Sequence, residues 1–375
     1  MPPEKTIGSL TITFFKVRLL RSFNNDSLGS FLLSTLESNI MNDANEKSWG
    51  GFPRYYGATV EEATRAVEMG DDAVSQRWAE ELEESSPGIR DSIEFAAKQW
   101  NTVLRDHLRS ETGLRISAVG NSKAVPVKIV GGMPVSFAEA MRGFDGLEWL
   151  LLHRPAVEAV ASGTLFMKRH TGAVRAAWGN SAGPSDARDI ENVHETALAW
   201  LRKLEQAPTI DRIFEIREDV LGAYYFRIPE IRLYWIVIGI VARSIGVSVE
   251  ALTIVVLAHE LAHAYTHLGL DIDNERWDTG RFAQTDLYVV EGLAQFYTQV
   301  VCKRIGYRMP EALDAYQVLL SKQSGPYLAH LDWVQNHEHG GEIVRISMIE
   351  CRSRGIKASE EFADTVRRHR MGIRG

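Results

Sequence analysis

The chain has 375 residues, 45% hydrophobic and 24% charged, a balance that excludes global disorder or a fibrous repeat and allows a large core without disulfide or metal staples. Its formal charge of -7, with the basic residues dispersed along the chain, argues against nucleic acid as a partner. The two cysteines, Cys302 and Cys351, are too few for a disulfide framework and form no CxxC pair, so they are expected as free thiols in a reducing, cytoplasmic setting.

In chain order, residues 10–15 form an apolar stretch that reads as a strand rather than a signal peptide, because Lys16 and Arg18 follow it and no small-residue cleavage site appears. Residues 22–57 are rich in Asn, Ser, Gly and Asp around a short apolar helical piece at 31–36, so 1–57 is expected to be a strand and loop-rich segment. Residues 59–84 are acidic and helical in pattern, interrupted at Gly70 and ended by Ser86-Pro87-Gly88. The glutamates around Leu82 read as a solvated helix face, with a partner-binding surface as the alternative. An amphipathic helix follows over 91–111.

From 113 to 135, β-branched residues alternate with Gly, Pro and polar positions, which predicts short strands. Asn180-Ser181-Ala182-Gly183-Pro184-Ser185 is the clearest break before a helix over 186–206, closed by Pro208. The segment 58–208 is therefore expected to be a mixed helical and strand region with a recognition or regulatory role, through which a regulatory partner would act. His194-Glu195 begins like a metal motif but has Leu198 where the second histidine belongs, and it reads as helix surface.

The remaining segment, 209–375, carries the chemistry. Residues 222–226 and 230–235 read as two extended pieces around a turn, followed by a buried helix over 236–245. The apolar region 233–258 is broken by Arg243, Ser244, Gly246 and Glu250, so it falls short of the roughly 20 apolar residues of a membrane helix and reads as two buried helices. Ser248 supplies an N-cap, Glu250 sits in the first turn, and the helix should run to Leu268 with Gly269 in the left-handed C′ position.

That helix contains His259-Glu260-Leu261-Ala262-His263. Residues four apart lie about 40° apart around a helix, so both imidazoles point to one side and can share an ion. The turn before them, 253–258, is apolar nearly all round, and polar groups on such a helix are costly unless something satisfies them. A pair of hydrogen-bonded core histidines is the alternative. His267 lies on the same face, but about 12 Å of helix separates it from His259, so it is expected to line a cleft or cap the helix end. Glu291, in the first half of a helix expected over 286–302 and joined to His263 by a 27-residue connection, is the better third ligand.

His259-Glu260-Leu261-Ala262-His263 followed by Glu291-Gly292-Leu293-Ala294-Gln295-Phe296 resembles the gluzincin class of zinc metallopeptidases over roughly residues 222–301. The resemblance implies a predominantly helical α+β protein with a zincin-like catalytic domain, one Zn2+ held by His259, His263 and Glu291, and a peptide or protein substrate. It also implies that Glu260 acts as general base on a metal-activated water, and that small residues after Glu291 let the two helices pack closely, which Gly292 and Ala294 fit. The chain departs from relatives at Gln295, where an acidic partner would stand; Gln295 could still accept from a ligand histidine, in competition with Asp271, Asp273 and Asp286. Tyr327, His330, His337 and His339 are candidate stabilisers of a transition state. The stretch 224–234 would either bind an extended substrate as an added strand or be an ordinary buried hairpin. Two other functions stay open: a metal-stabilised binding or regulatory protein, and a metal hydrolase acting on a non-peptide substrate.

Overall fold

The computed structural model describes residues 59–60, 72–116, 125–142, 144, 146–170, 184–206, 220–333 and 338–372. The expected strand at 10–15, the helical piece at 31–36 and His337 lie outside the described residues. Helices dominate: α1 (Asp72–Ser85), α2 (Ile89–Thr112), α3 (Val135–Arg142), α4 (Glu148–Leu152), α5 (Arg154–Arg169) and α6 (Pro184–Gln206) precede α7 (Trp235–Ile245), α8 (Val249–Leu268), α9 (Thr279–Ala283), α10 (Leu287–Ile305) and α11 (Pro310–Leu320). A 3-10 helix (Gly325–Asp332), α12 (Gly340–Arg354) and α13 (Ser359–Gly372) complete the order. With one small sheet beside them, the class is a mostly helical α+β fold.

The sheet has three strands in the order β1 (Val127–Val130), β3 (Glu230–Tyr234), β2 (Gly222–Tyr225). β1 runs parallel to β3 with Val127 opposite Ile231, and β2 runs antiparallel with Tyr225 opposite Glu230. The expected hairpin over 222–235 is present, but its second strand is the middle of the sheet. An added strand therefore cannot pair with the whole 224–234 stretch, because β3 already has a neighbour on each side.

Helix α8 is the centre of the core. Every residue from Ala251 to His267 is buried, with α2, α10, α11, α7 and the sheet packed around it. Because apolar residues surround the helix on all sides, it has no solvent face to hold its register, and its ends are fastened instead. Ser248 caps it by accepting from the Ala251 amide at 3.1 Å. The C-terminal expectation is corrected: Gly269 is extended (φ -61°, ψ 129°), not left-handed. It is small because a Cβ there would stand 2.4 Å from the Tyr265 carbonyl oxygen and 2.6 Å from Leu114 Cβ, where the chain joins Arg115 and Leu270 in a β-bridge.

α2 belongs to the segment 58–208 and α8 to 209–375, yet they pack along each other and their buried residues lie in one hydrophobic cluster. α5 and α6 pair separately around Val157, Ala161 and Ala197. His194 is buried in that pair and not on a helix surface: Nδ1 lies 3.0 Å from Thr164 Oγ1 and 3.1 Å from the Ala161 carbonyl oxygen, so it ties α6 to α5. Among the described residues no helix is long and apolar enough to cross a membrane. Both cysteines are buried free thiols, and burial raises each pKa to about 12.

Candidate metal centre

Two helices build the site. α8 brings His259, Glu260 and His263 to its middle, and α10, packed against it, brings Glu291 from its second turn. α10 starts where Asp286 accepts from the Tyr288 amide at 2.9 Å. This cap fixes which turn faces α8, and all four side chains are buried.

His259 Nε2 lies 3.1 Å from His263 Nε2 and 3.2 Å from Glu291 Oε2, and His263 Nε2 lies 3.4 Å from the same oxygen. A tetrahedral zinc with bonds of about 2.0–2.1 Å has ligand atoms separated by about 3.3 Å. The three atoms thus outline one face of such a tetrahedron. Neutral imidazoles at this spacing cannot satisfy one another with both lone pairs turned inward, whereas a cation can satisfy all three donors. The buried His259–His263–Glu291 group could hold a metal ion. Burial opposes charge on Glu291, but the positive charge and hydrogen bonds of His263 and His259 rings that carry protons outweigh it and hold the carboxyl well below the usual carboxylate range; a bound cation would act in the same direction.

Glu260 projects from the same helix beside the ligands, under strand β2. A Cβ on Gly222 would stand 3.1 Å from Glu260 Cγ and 2.9 Å from Val256 Cγ1, so the strand backbone rests directly on this carboxylate side chain.

Of the other candidates, Tyr327 has its ring beside His259. Its ring centroid is 6.2 Å from that of His259, at a tilt of 38°. His330 is buried behind it, 3.0 Å from the Tyr316 hydroxyl, and burial lowers its pKa to about 4, so the ring is neutral near pH 7. His267 is fully buried away from the ligand atoms: Nδ1 meets the Tyr224 hydroxyl at 2.9 Å, Nε2 meets Thr279 Oγ1 at 3.2 Å, and the ring stacks on Phe282. Neither lining a cleft nor capping the helix end describes it.

Gln295 turns to Gln323, donating from Nε2 to Oε1 at 3.1 Å, while His259 Nδ1 has no hydrogen-bond partner among the described residues. Two of the aspartates are committed to backbone: Asp271 accepts from the Asp273 and Glu275 amides and Asp286 caps α10. His339 precedes α12 without capping it.

Gly292 serves a different contact from the one expected. A Cβ there would meet Trp333 at 2.5 Å, so the small residue admits that ring and not helix α8. Sequence reasoning missed Gly222, Tyr316, Gln323 and Trp333, whose types are common; only the glycine next to Glu291 signalled a close approach. No family model, no curated protein and no solved structure matches the chain.

Proposed function

We propose that this chain is a zinc-dependent metallopeptidase of gluzincin type, with His259, His263 and Glu291 as ligands and Glu260 as general base. The observation that carries this reading is the triangle of donor atoms with edges of 3.1, 3.2 and 3.4 Å, the spacing a tetrahedral ion needs, in the middle of a buried helix. A zinc ion held there would polarise a scissile carbonyl and acidify a water molecule.

The chain's own groups supply the rest. Glu260, adjacent to the ligands and dry on its strand side, would take the proton from the attacking water and pass it to the leaving amine. The Tyr327 phenol stands beside His259, where it would donate to the developing oxyanion. An extended substrate would lie along the outer edge of β2, the strand in contact with Glu260, and not along β3. Gly222, Ala223, Tyr224 and Tyr225 carry no charge and leave backbone as the principal means of holding it.

The test is Glu260→Gln, which keeps size and one acceptor oxygen but removes the base. Zinc content should stay at one per chain while cleavage of a mixed peptide library falls at least ~10²-fold. Equal zinc content with no cleavage by either protein would turn the reading toward a metal-stabilised binding protein.

A further inference from the structure

The residues that follow Glu291 in α10 serve the 3-10 helix rather than the ligand histidines. Gly292 leaves the space for the Trp333 ring at the end of that helix, with Ala329 Cβ 3.2 Å from where a Cβ would be. Gln295, one turn further on, holds Gln323 at the approach to the same helix. From α11 the Tyr316 hydroxyl lies 3.0 Å from His330 Nε2 and donates to the Gln295 carbonyl oxygen at 3.4 Å. Three contacts thus hold the 3-10 helix Gly325–Asp332, at Gln323 just before it, at His330 within it and at Trp333 just after it, and that helix carries Tyr327 to the ring of His259.

A 3-10 helix has poorer hydrogen-bond geometry than an α-helix and is rarely stable beyond a few residues by itself. External contacts must therefore decide where its side chains stand. The frame here is buried: Tyr316, His330 and Gln295 are all nearly inaccessible, and a buried hydrogen bond left half-made is costly, so the arrangement tolerates little displacement.

We propose that Gly292, Gln295, Gln323, Tyr316 and His330 are positioning residues that lock the 3-10 helix onto the Glu291 helix and thereby fix the Tyr327 phenol beside the ligand His259. The chemical role of Tyr327 rests on the peptidase reading, whereas the lock is a property of the chain with or without turnover. One helix then supplies both a metal ligand and the wall that faces it. Ligand and wall move together, and the position four residues after Glu291 orients that wall instead of a ligand histidine.

The experiment uses the full chain with 3-fluorotyrosine at position 327, followed by fluorine NMR with zinc alone as the probe. The wild type should give one narrow resonance that shifts when one equivalent of zinc is added. Gln323→Leu, and separately Tyr316→Phe, should broaden or split that resonance. Amide hydrogen exchange in residues 325–332 should accelerate about tenfold, as loss of ordinary side-chain hydrogen bonds implies, with α8 unaffected. Gln323→Glu keeps the acceptor oxygen and should restore the single line, which a general loss of stability would not do. A line and exchange rates unchanged in both folded variants, or a resonance that ignores bound zinc, overturns the proposal. Absence of zinc binding with the line shape and exchange responding as described would sink the peptidase reading and leave the lock standing.

Discussion

The middle turns and the last turn of α8 both bury histidine, but they satisfy it differently. His267 has a neutral hydroxyl on each ring nitrogen, from Tyr224 and Thr279, with Phe282 stacked on its face. Nothing further is needed there. His259 and His263 instead turn two nitrogens toward each other and toward a carboxylate, a grouping that a metal cation could complete. What separates the His259–His263 pair from His267 is therefore the chemistry of their partners, since all three are buried on one helix.

This contrast can be broken most directly with metal. Zinc at about a thousand times its dissociation constant should stabilise the fold by about 4 kcal/mol, read as a concentration-dependent rise in unfolding temperature that a chelator reverses. Glu291→Ala should abolish that rise, and its affinity loss should exceed the ~100-fold typical of losing a group that merely supports a ligand. His267→Ala should lower the starting stability yet keep the full zinc response. If the His267 variant were the one that stopped responding, the two kinds of histidine would have been assigned the wrong way round.

A smaller effect is expected at the structural histidine itself. Tyr224→Phe leaves His267 Nδ1 buried without its partner, which should cost about 1–3 kcal/mol in urea unfolding while zinc stoichiometry stays at one. A variant as stable as wild type would show that the phenol contributes nothing to holding β2 against α8.

The smallest effect is a pH slope. Burial, then the charges of Arg276 and Arg352, lower the His267 pKa to about 3, with Asp278 partly opposing them. The folded pKa lies below the unfolded value of about 6.5, so the unfolded chain takes up the proton first. The stability from neutral His267 is complete above pH 6.5 and is lost as pH falls from there toward 3, by at most about 1.4 kcal/mol per pH unit. Comparing wild type with His267→Gln isolates this contribution, and parallel pH profiles for the two proteins would remove it.

Much of the fold near the site was legible because its signals are local. Ser248 and Asp286 are caps whose side chains bond backbone a few residues away, so both helix starts could be read from short windows. Gly269 shows where local logic fails: a glycine after a helix suggests a left-handed turn, but here Leu114, far away in sequence, leaves no room for a Cβ beside an extended backbone. His194 fails for the same reason, since its burial depends on Thr164 and Ala161 across a helix pair.

The sequence by itself determined that His259 and His263 share a helix face, that Glu260 lies between them, and that Glu291 stands on a second helix, because the period of the α-helix fixes these relations without reference to the rest of the chain. Tertiary structure alone decided that the Glu291 oxygen comes within 3.2 Å of His259, that Gln295 faces Gln323, that Gly292 receives Trp333, and that the Tyr327 ring stands beside His259. These contacts join elements separated by loops whose paths no short-range rule constrains, so only the packing of α10, α11 and the 3-10 helix brings them together.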